Sequence, residues 1–182
     1  MLPIPRPARA AALALAALVA ATSLAPPACA DEAALAEGSA APDFTLKDSY
    51  GNDVSLASLL SKGPVVLYCY PKDSTPGCTR EACAYRDRSG ELATLGATIV
   101  GVSMDSVESH AKFRDAHKLT FPLLADVGGA VSRSYGAAGS KAKWSSRWTF
   151  VIDRQGRIAK AMPDVDPVAH IDEVLAVLKT LK

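Results

Sequence analysis

Two short apolar runs constrain this chain most: PVVLYCY at 64–70 and ATIVGVS at 97–103, separated by a polar stretch of helical composition at 76–95. Both are rich in β-branched or aromatic residues and too short to form buried helices. The first is bounded by Gly63-Pro64 and Pro71, so each run reads as a strand buried on both faces. Two such strands joined by a helix form a βαβ unit, which requires a parallel pair inside a larger sheet.

The remaining patterns supply that sheet. PDFTLKDSYGNDVSL, from Pro42, alternates apolar and polar residues on either side of Tyr50-Gly51-Asn52, the signature of a hairpin. SVESHAKFRDAHKL predicts a helix before the short strand FPLLAD, and VGGAVSRSYG one or two further helical turns. RWTFVID and GRIAKAM read as strands joined at Arg154-Gln155-Gly156. Asp166-Pro167 suits the cap and first turn of a last helix, with Val168, Ile171, Leu175 and Leu178 on one face. The order predicts an α/β fold of thioredoxin-like layout: an N-terminal β-hairpin, then a central mixed sheet flanked by helices.

The first thirty residues are of another kind. Arg6 and Arg9 precede the run AALALAALVAA, and Ala28-Cys29-Ala30 offers small residues for cleavage before Asp31-Glu32. That is the pattern of a secretory signal peptide over residues 1–30, and its apolar run falls short of the ~20 residues a spanning anchor needs. Cys29 could accept a lipid, but Pro26-Pro27-Ala28 is a poor cleavage box for that processing, so the lipid-anchored form is the lesser reading. The expected product is exported, with periplasmic localisation and no stable membrane association. Residues 31–40 read as a flexible Ala-rich lead-in, and 41–182 as one domain. A formal net charge of +1 and 6% aromatic residues, with no run of Lys or Arg, argue against a nucleic-acid partner.

Of four cysteines, Cys29 leaves with such a leader, and Cys69, Cys78 and Cys83 remain. Three is an awkward number for a purely structural disulfide framework. Cys69 lies within a strand run and reads as a small core residue. Thr75-Pro76 makes a helix start, with Thr75 as cap and Pro76 at the first position, which puts Gly77 and Cys78 in the first turn. The unpaired N–H groups and positive dipole end there favour a thiolate, and Gly77 permits close approach of a small ligand.

Cys78 shares a helix face with Ala82, Tyr85 and Leu92 and should be buried, whereas Cys83 lies about 140° round the helix, nearer solvent. Cα atoms five residues apart in an ideal helix are about 8.7 Å from each other, computed from its rise and radius. A disulfide needs about 4.4–6.8 Å, so Cys78 and Cys83 can be linked only if the first turns unwind.

YPKDSTPGCTREACAYRD closely resembles the active-site stretch of peroxiredoxins of the bacterioferritin-comigratory (PrxQ-like) subfamily. The resemblance runs from APDFTL through GVSMDSVESHAKF and LTFPLLAD to TFVID, about residues 39–182. It implies a thiol peroxidase that reduces hydrogen peroxide and organic hydroperoxides without metal or other cofactor. Cys78 matches the peroxidatic cysteine and Cys83 the resolving one, the two closing an intrachain disulfide. Thr75 matches the residue that hydrogen-bonds the peroxide, Pro71 the one that screens the sulfur, and Arg147 the guanidinium that stabilises thiolate and leaving oxygen. Thr75, Gly77, Cys78 and Arg147 make up the implied substrate site. The implied partner is a thioredoxin- or glutaredoxin-like reductant, exported with the enzyme, and the implied state a monomer or weak homodimer.

Cys69 departs from the pattern, which commonly has an aromatic residue there. AAGSKAKWSS, after Tyr135-Gly136, matches no usable motif, and Trp144 and Trp148 either line an apolar approach or simply pack. Two other activities fit a thioredoxin-like fold. A copper-handling module would hold the ion with paired cysteines and a His, but His110 and His117 stand about 10.5 Å apart along a helix, too far to share an ion, and His170 lies on the last helix. Disulfide exchange usually employs C-x-x-C, where this chain has C-x-x-x-x-C.

Overall fold

The computed structural model describes residues 35–181 together with Met1, so the leader expected over 1–30 otherwise falls outside the described residues. The hairpin forms as expected: β1 (Thr45–Asp48) pairs antiparallel with β2 (Asp53–Ser55). Asp48 closes its turn by accepting the backbone N–H of Tyr50 and Asn52 on one oxygen, while Gly51 takes φ +86°. A short helix, α1 (Leu56–Leu60), follows at once, capped reciprocally by Ser55 and Ser58.

Next come β3 (Val65–Cys69), α2 (Pro76–Asp87), α3 (Ser89–Thr94), β4 (Thr98–Ser103), α4 (Val107–His117), β5 (Leu123–Ala125) and α5 (Ala130–Ser134). The chain ends with β6 (Trp148–Ile152), β7 (Ile158–Pro163) and α6 (His170–Thr180). The sheet order is β2-β1-β5-β4-β3-β6-β7. Its centre, β5-β4-β3, is parallel, and antiparallel strands flank it on both sides.

Because neighbours along a strand point to opposite faces, β3 feeds two cores. Val66, Tyr68 and Tyr70 pack with Cys78, Ala82, Tyr85, Leu92, Phe113 and the apolar face of α6. Val65, Leu67 and Cys69 pack on the other side with Leu56, Leu59, Val131 and Phe150. Cys69 and Cys78 are therefore buried on opposite faces of one sheet.

Three local readings need correction. The helix expected over 76–95 is two: the backbone leaves helical geometry at Arg88 (φ −98°, ψ 4°), beside Ser89-Gly90, both poor helix residues. The last helix begins at His170, not at Pro167. Asp166 still caps, accepting the N–H of Val168 and Ala169, but it closes a separate turn that leaves Val168 exposed. Val174 takes its place in the core. Of the lead-in, residues 38–40 are tied down, with Gly38 and Ser39 hydrogen-bonded to Ile158 and Ala40 bridged to Arg157. None of the described helices is long and apolar enough to cross a membrane.

Candidate active site

Strand pairing assembles the site. Cys69 at the end of β3 lies opposite Trp148 at the start of β6, so Arg147, one residue earlier, reaches the end of β3 where the chain turns into α2. A buried serine fixes this approach: Ser145 donates its hydroxyl to the Tyr70 carbonyl at 2.8 Å, and Ser146 N–H bonds the Ala137 carbonyl at 2.7 Å. The segment AAGSKAKWSS thus anchors the strand that bears the arginine. Trp144 beside it is exposed, and Trp148 stacks on Phe150.

Cys78 is 1% exposed, in the first turn of α2. Arg147 donates from Nη2 to its sulfur at 3.4 Å, and from Nη1 to Oε2 of the buried Glu81. Glu81 is one turn beyond Cys78, so both face the guanidinium from the same helix. The guanidinium passes close over Gly77, where an added Cβ would lie 3.1 Å from Nη2. The glycine expected to admit a ligand thus first admits Arg147.

Thr75 occupies the cap position with extended backbone (φ −79°, ψ 150°), but its side chain does not cap; its hydroxyl donates to the Lys72 carbonyl at 3.1 Å. Pro76 has no N–H. The N–H groups of Gly77 and Cys78 make no bond among the described residues and lie at the positive end of the helix that bears the sulfur. Pro71, half-buried, begins the loop at the end of β3.

Glu81 went unnoticed in the sequence because a charged residue in TREAC reads as solvent-facing, yet its side chain is fully buried. Burial pushes its carboxyl up to about 8, against the pull of the Arg147 charge and hydrogen bond. His170 lies 3.9 Å from its other oxygen, beyond hydrogen-bond length. The His170 ring donates from Nδ1 to the Asp166 carbonyl at 2.6 Å, so Nε2 accepts the Tyr85 hydroxyl at 2.9 Å. Burial depresses the His170 pKa, consistent with a neutral ring.

Cys83 is half-exposed on the far side of α2 and, like Cys78, is a free thiol. Arg86 borders its sulfur while donating to the His117 carbonyl at 2.6 Å. Cys69 is fully buried, which pushes its thiol far up in pKa and keeps it protonated. The histidines weighed as metal ligands are not brought together: both ring nitrogens of His110 and of His170 already face protein groups. No cluster of three or more His, Cys, Asp or Glu with metal-holding geometry occurs among the described residues.

Residues 38–161 match the model of the AhpC/TSA family. Chloroplastic peroxiredoxin Q of Sedum lineare is 43% identical over 152 residues, covering 82% of this chain and 81% of the relative. Among solved structures, peroxidoxin BcpB of Mycobacterium tuberculosis superposes with a TM-score of 0.77 at 39% identity, over 81% of this chain and 99% of that one. The bacterioferritin comigratory protein of Xanthomonas campestris, studied for alkyl peroxide reduction in trapped intermediate and ligand complexes, gives 0.70 at 34%, over 75% and 90%.

Proposed function

The chain belongs to the AhpC/TSA family and is a peroxiredoxin-type peroxidase, and from that premise we propose that Cys78 is its peroxide-reacting thiol and Cys83 the thiol that resolves it. The observation that carries this is the Arg147 guanidinium on the Cys78 sulfur at 3.4 Å, in the first turn of a helix. That arrangement sets positive charge where the attacking sulfur and the departing oxygen carry negative charge.

The thiolate attacks the terminal oxygen of ROOH. An S–O bond forms as O–O breaks, sulfur gives up two electrons, and the leaving RO⁻ takes up a proton to depart as ROH. Arg147 and the Gly77 and Cys78 N–H groups stabilise charge as it moves onto that oxygen. Thr75, whose hydroxyl proton is engaged with Lys72, has lone pairs to accept the hydroperoxide O–H. Pro71 and the burial of the sulfur keep water away.

Cys78 is then a sulfenic acid. Cys83 attacks it, an S–S bond forms and water leaves. Since α2 runs unbroken through both residues, this step requires the helix to unwind between them, which draws Glu81 away from Arg147. A dithiol partner of thioredoxin or glutaredoxin type restores both thiols by exchange. A signal over residues 1–30 would place the enzyme in the periplasm, so that partner would be an exported one.

Intact mass and rapid peroxide kinetics on Cys78→Ser and Cys83→Ser test the assignment. Cys78→Ser is expected to lose peroxide reduction, and undiminished turnover would sink the mechanism. Cys83→Ser is expected to accumulate sulfenic and over-oxidised Cys78 without a disulfide. A disulfide persisting in Cys83→Ser would make Cys69 the resolving thiol.

A further inference from the structure

A buried cluster of titratable side chains lies beside the active site and outside the chemistry assigned above. Asp73, two residues before Thr75, is 6% exposed, and His110 of α4 is 0% exposed. Asp73 Oδ1 accepts the Tyr70 hydroxyl at 2.7 Å. Its Oδ2 accepts the Ser109 hydroxyl at 2.7 Å and faces His110 Nδ1 at 2.9 Å. The Asp73 N–H donates to Asp105 Oδ2 at 2.9 Å, an oxygen that also accepts the Ser103 hydroxyl at 2.7 Å. One loop residue thereby ties together the ends of β3 and β4 and the start of α4.

The partners of His110 define its state. Nε2 faces the Leu124 carbonyl of β5 at 3.2 Å, and a carbonyl only accepts, so this nitrogen carries a hydrogen. Burial would raise the Asp73 carboxyl, but the hydrogen bond and charge of His110, with the hydroxyls of Ser109 and Tyr70, hold it below its ordinary range. An ionised Asp73 also only accepts, so Nδ1 carries a hydrogen too. Tyr70 completes the surroundings with its hydroxyl oxygen 3.3 Å from Nδ1. A ring donating from both nitrogens is an imidazolium.

Ser74, the next residue, has φ +59°, a left-handed conformation that residues with a side chain rarely adopt. It is held between Asp73 and Thr75, which is itself tied to Lys72. We propose that Asp73 and His110 are positioning residues for the peroxide reaction, their buried aspartate–imidazolium pair holding loop 71–75 in the strained path that presents Thr75 and the start of α2 to the substrate. The inference rests on Cys78 being the peroxide-reacting thiol.

Asp73→Asn keeps the shape and the acceptor for Tyr70 or Ser109, but its carboxamide donates to Nδ1 and leaves His110 neutral. Stopped-flow oxidation by hydrogen peroxide is expected to be roughly 10–100-fold slower in Asp73→Asn and in His110→Gln, the scale of a slightly misplaced reacting group. The double variant should be no slower than the slower single one. Disulfide closure from preformed sulfenate should stay within about twofold of the parent, a split that general loosening of the fold would not produce. Nitrogen NMR of the parent, with its histidines labelled, should show both His110 ring nitrogens protonated. A parent rate of oxidation in folded Asp73→Asn, or a neutral His110 ring in the parent, overturns the proposal, and the second readout holds even if a variant fails to fold. Parent-like turnover in Cys78→Ser would instead strike the assignment of Cys78, without altering the state of His110.

Discussion

The segments on either side of Cys78 differ in a way that inverts their secondary structure. Residues 71–75 form an irregular loop, yet Asp73 binds it to Tyr70, Asp105, Ser109 and His110, and Thr75 binds back to Lys72. Residues 79–87 form a regular helix, but its long-range side-chain ties are few: Glu81 to Arg147, Tyr85 to His170 and Arg86 to His117. Regularity is therefore a poor guide to which part gives way. A helix whose hydrogen bonds are local can lose two turns and regain them, whereas the loop is held by buried long-range bonds that must break together. In the proposed cycle the loop is the fixed side and the helix the moving one.

Arg147 touches both sides, so removing it should break the contrast most severely. Arg147→Ala is expected to slow oxidation of Cys78 by roughly 10²–10³-fold, the typical effect of losing one charge-stabilising donor. It also strands Glu81 as a buried carboxyl, and a loss of thermal stability recovered in Arg147→Ala/Glu81→Gln would separate that cost from the chemistry. Arg147→Lys keeps the charge but cannot hold Glu81 and the sulfur with one planar fork, and should restore only part of the rate.

The moving side is probed by pH. Glu81 holds its proton up to about pH 8 in the closed helix, against an ordinary carboxyl value of 4.5 once unwound. Its contribution to the closed form is thus fully present below about pH 4.5 and is lost as pH rises through 8. Opening releases a proton in that window and is favoured by alkali, by at most about tenfold per pH unit. Disulfide closure, followed by double mixing, should accelerate accordingly in the parent relative to Glu81→Gln. Equal pH profiles in the two proteins would remove Glu81 from the opening step.

The smallest effect is expected at Cys69, behind the sheet. Cys69→Ala should cost roughly 1 kcal/mol in denaturant unfolding, as for a small buried deletion. Oxidation of Cys78 and closure of the disulfide should be unchanged, and a slower closure would mean that the third thiol takes part.

Much of this was legible from local pattern. The strands at 65–69 and 98–103, the hairpin, and the opposite exposure of Cys78 and Cys83 all follow from periods of two and of 3.6 residues. The break at Arg88 was signalled by Ser89-Gly90, and α1 by the spacing of Ser55 and Ser58, both easily lost inside longer apolar patterns. Glu81, Asp73 and His110 carried no such signal. In sequence each is one more charge in a polar stretch, and only a partner far along the chain makes its burial tolerable.

By itself, then, the sequence determined the strands, the start of α2 and which thiol faces inward, because these depend on bond geometry repeated over a few residues. Tertiary structure alone decided that Arg147 meets Cys78 across 69 positions, through the pairing of β3 with β6. It likewise decided that His110 meets Asp73 across 37. Such meetings depend on strand register and helix packing, which sum weak contacts over the whole domain, and no local period encodes them.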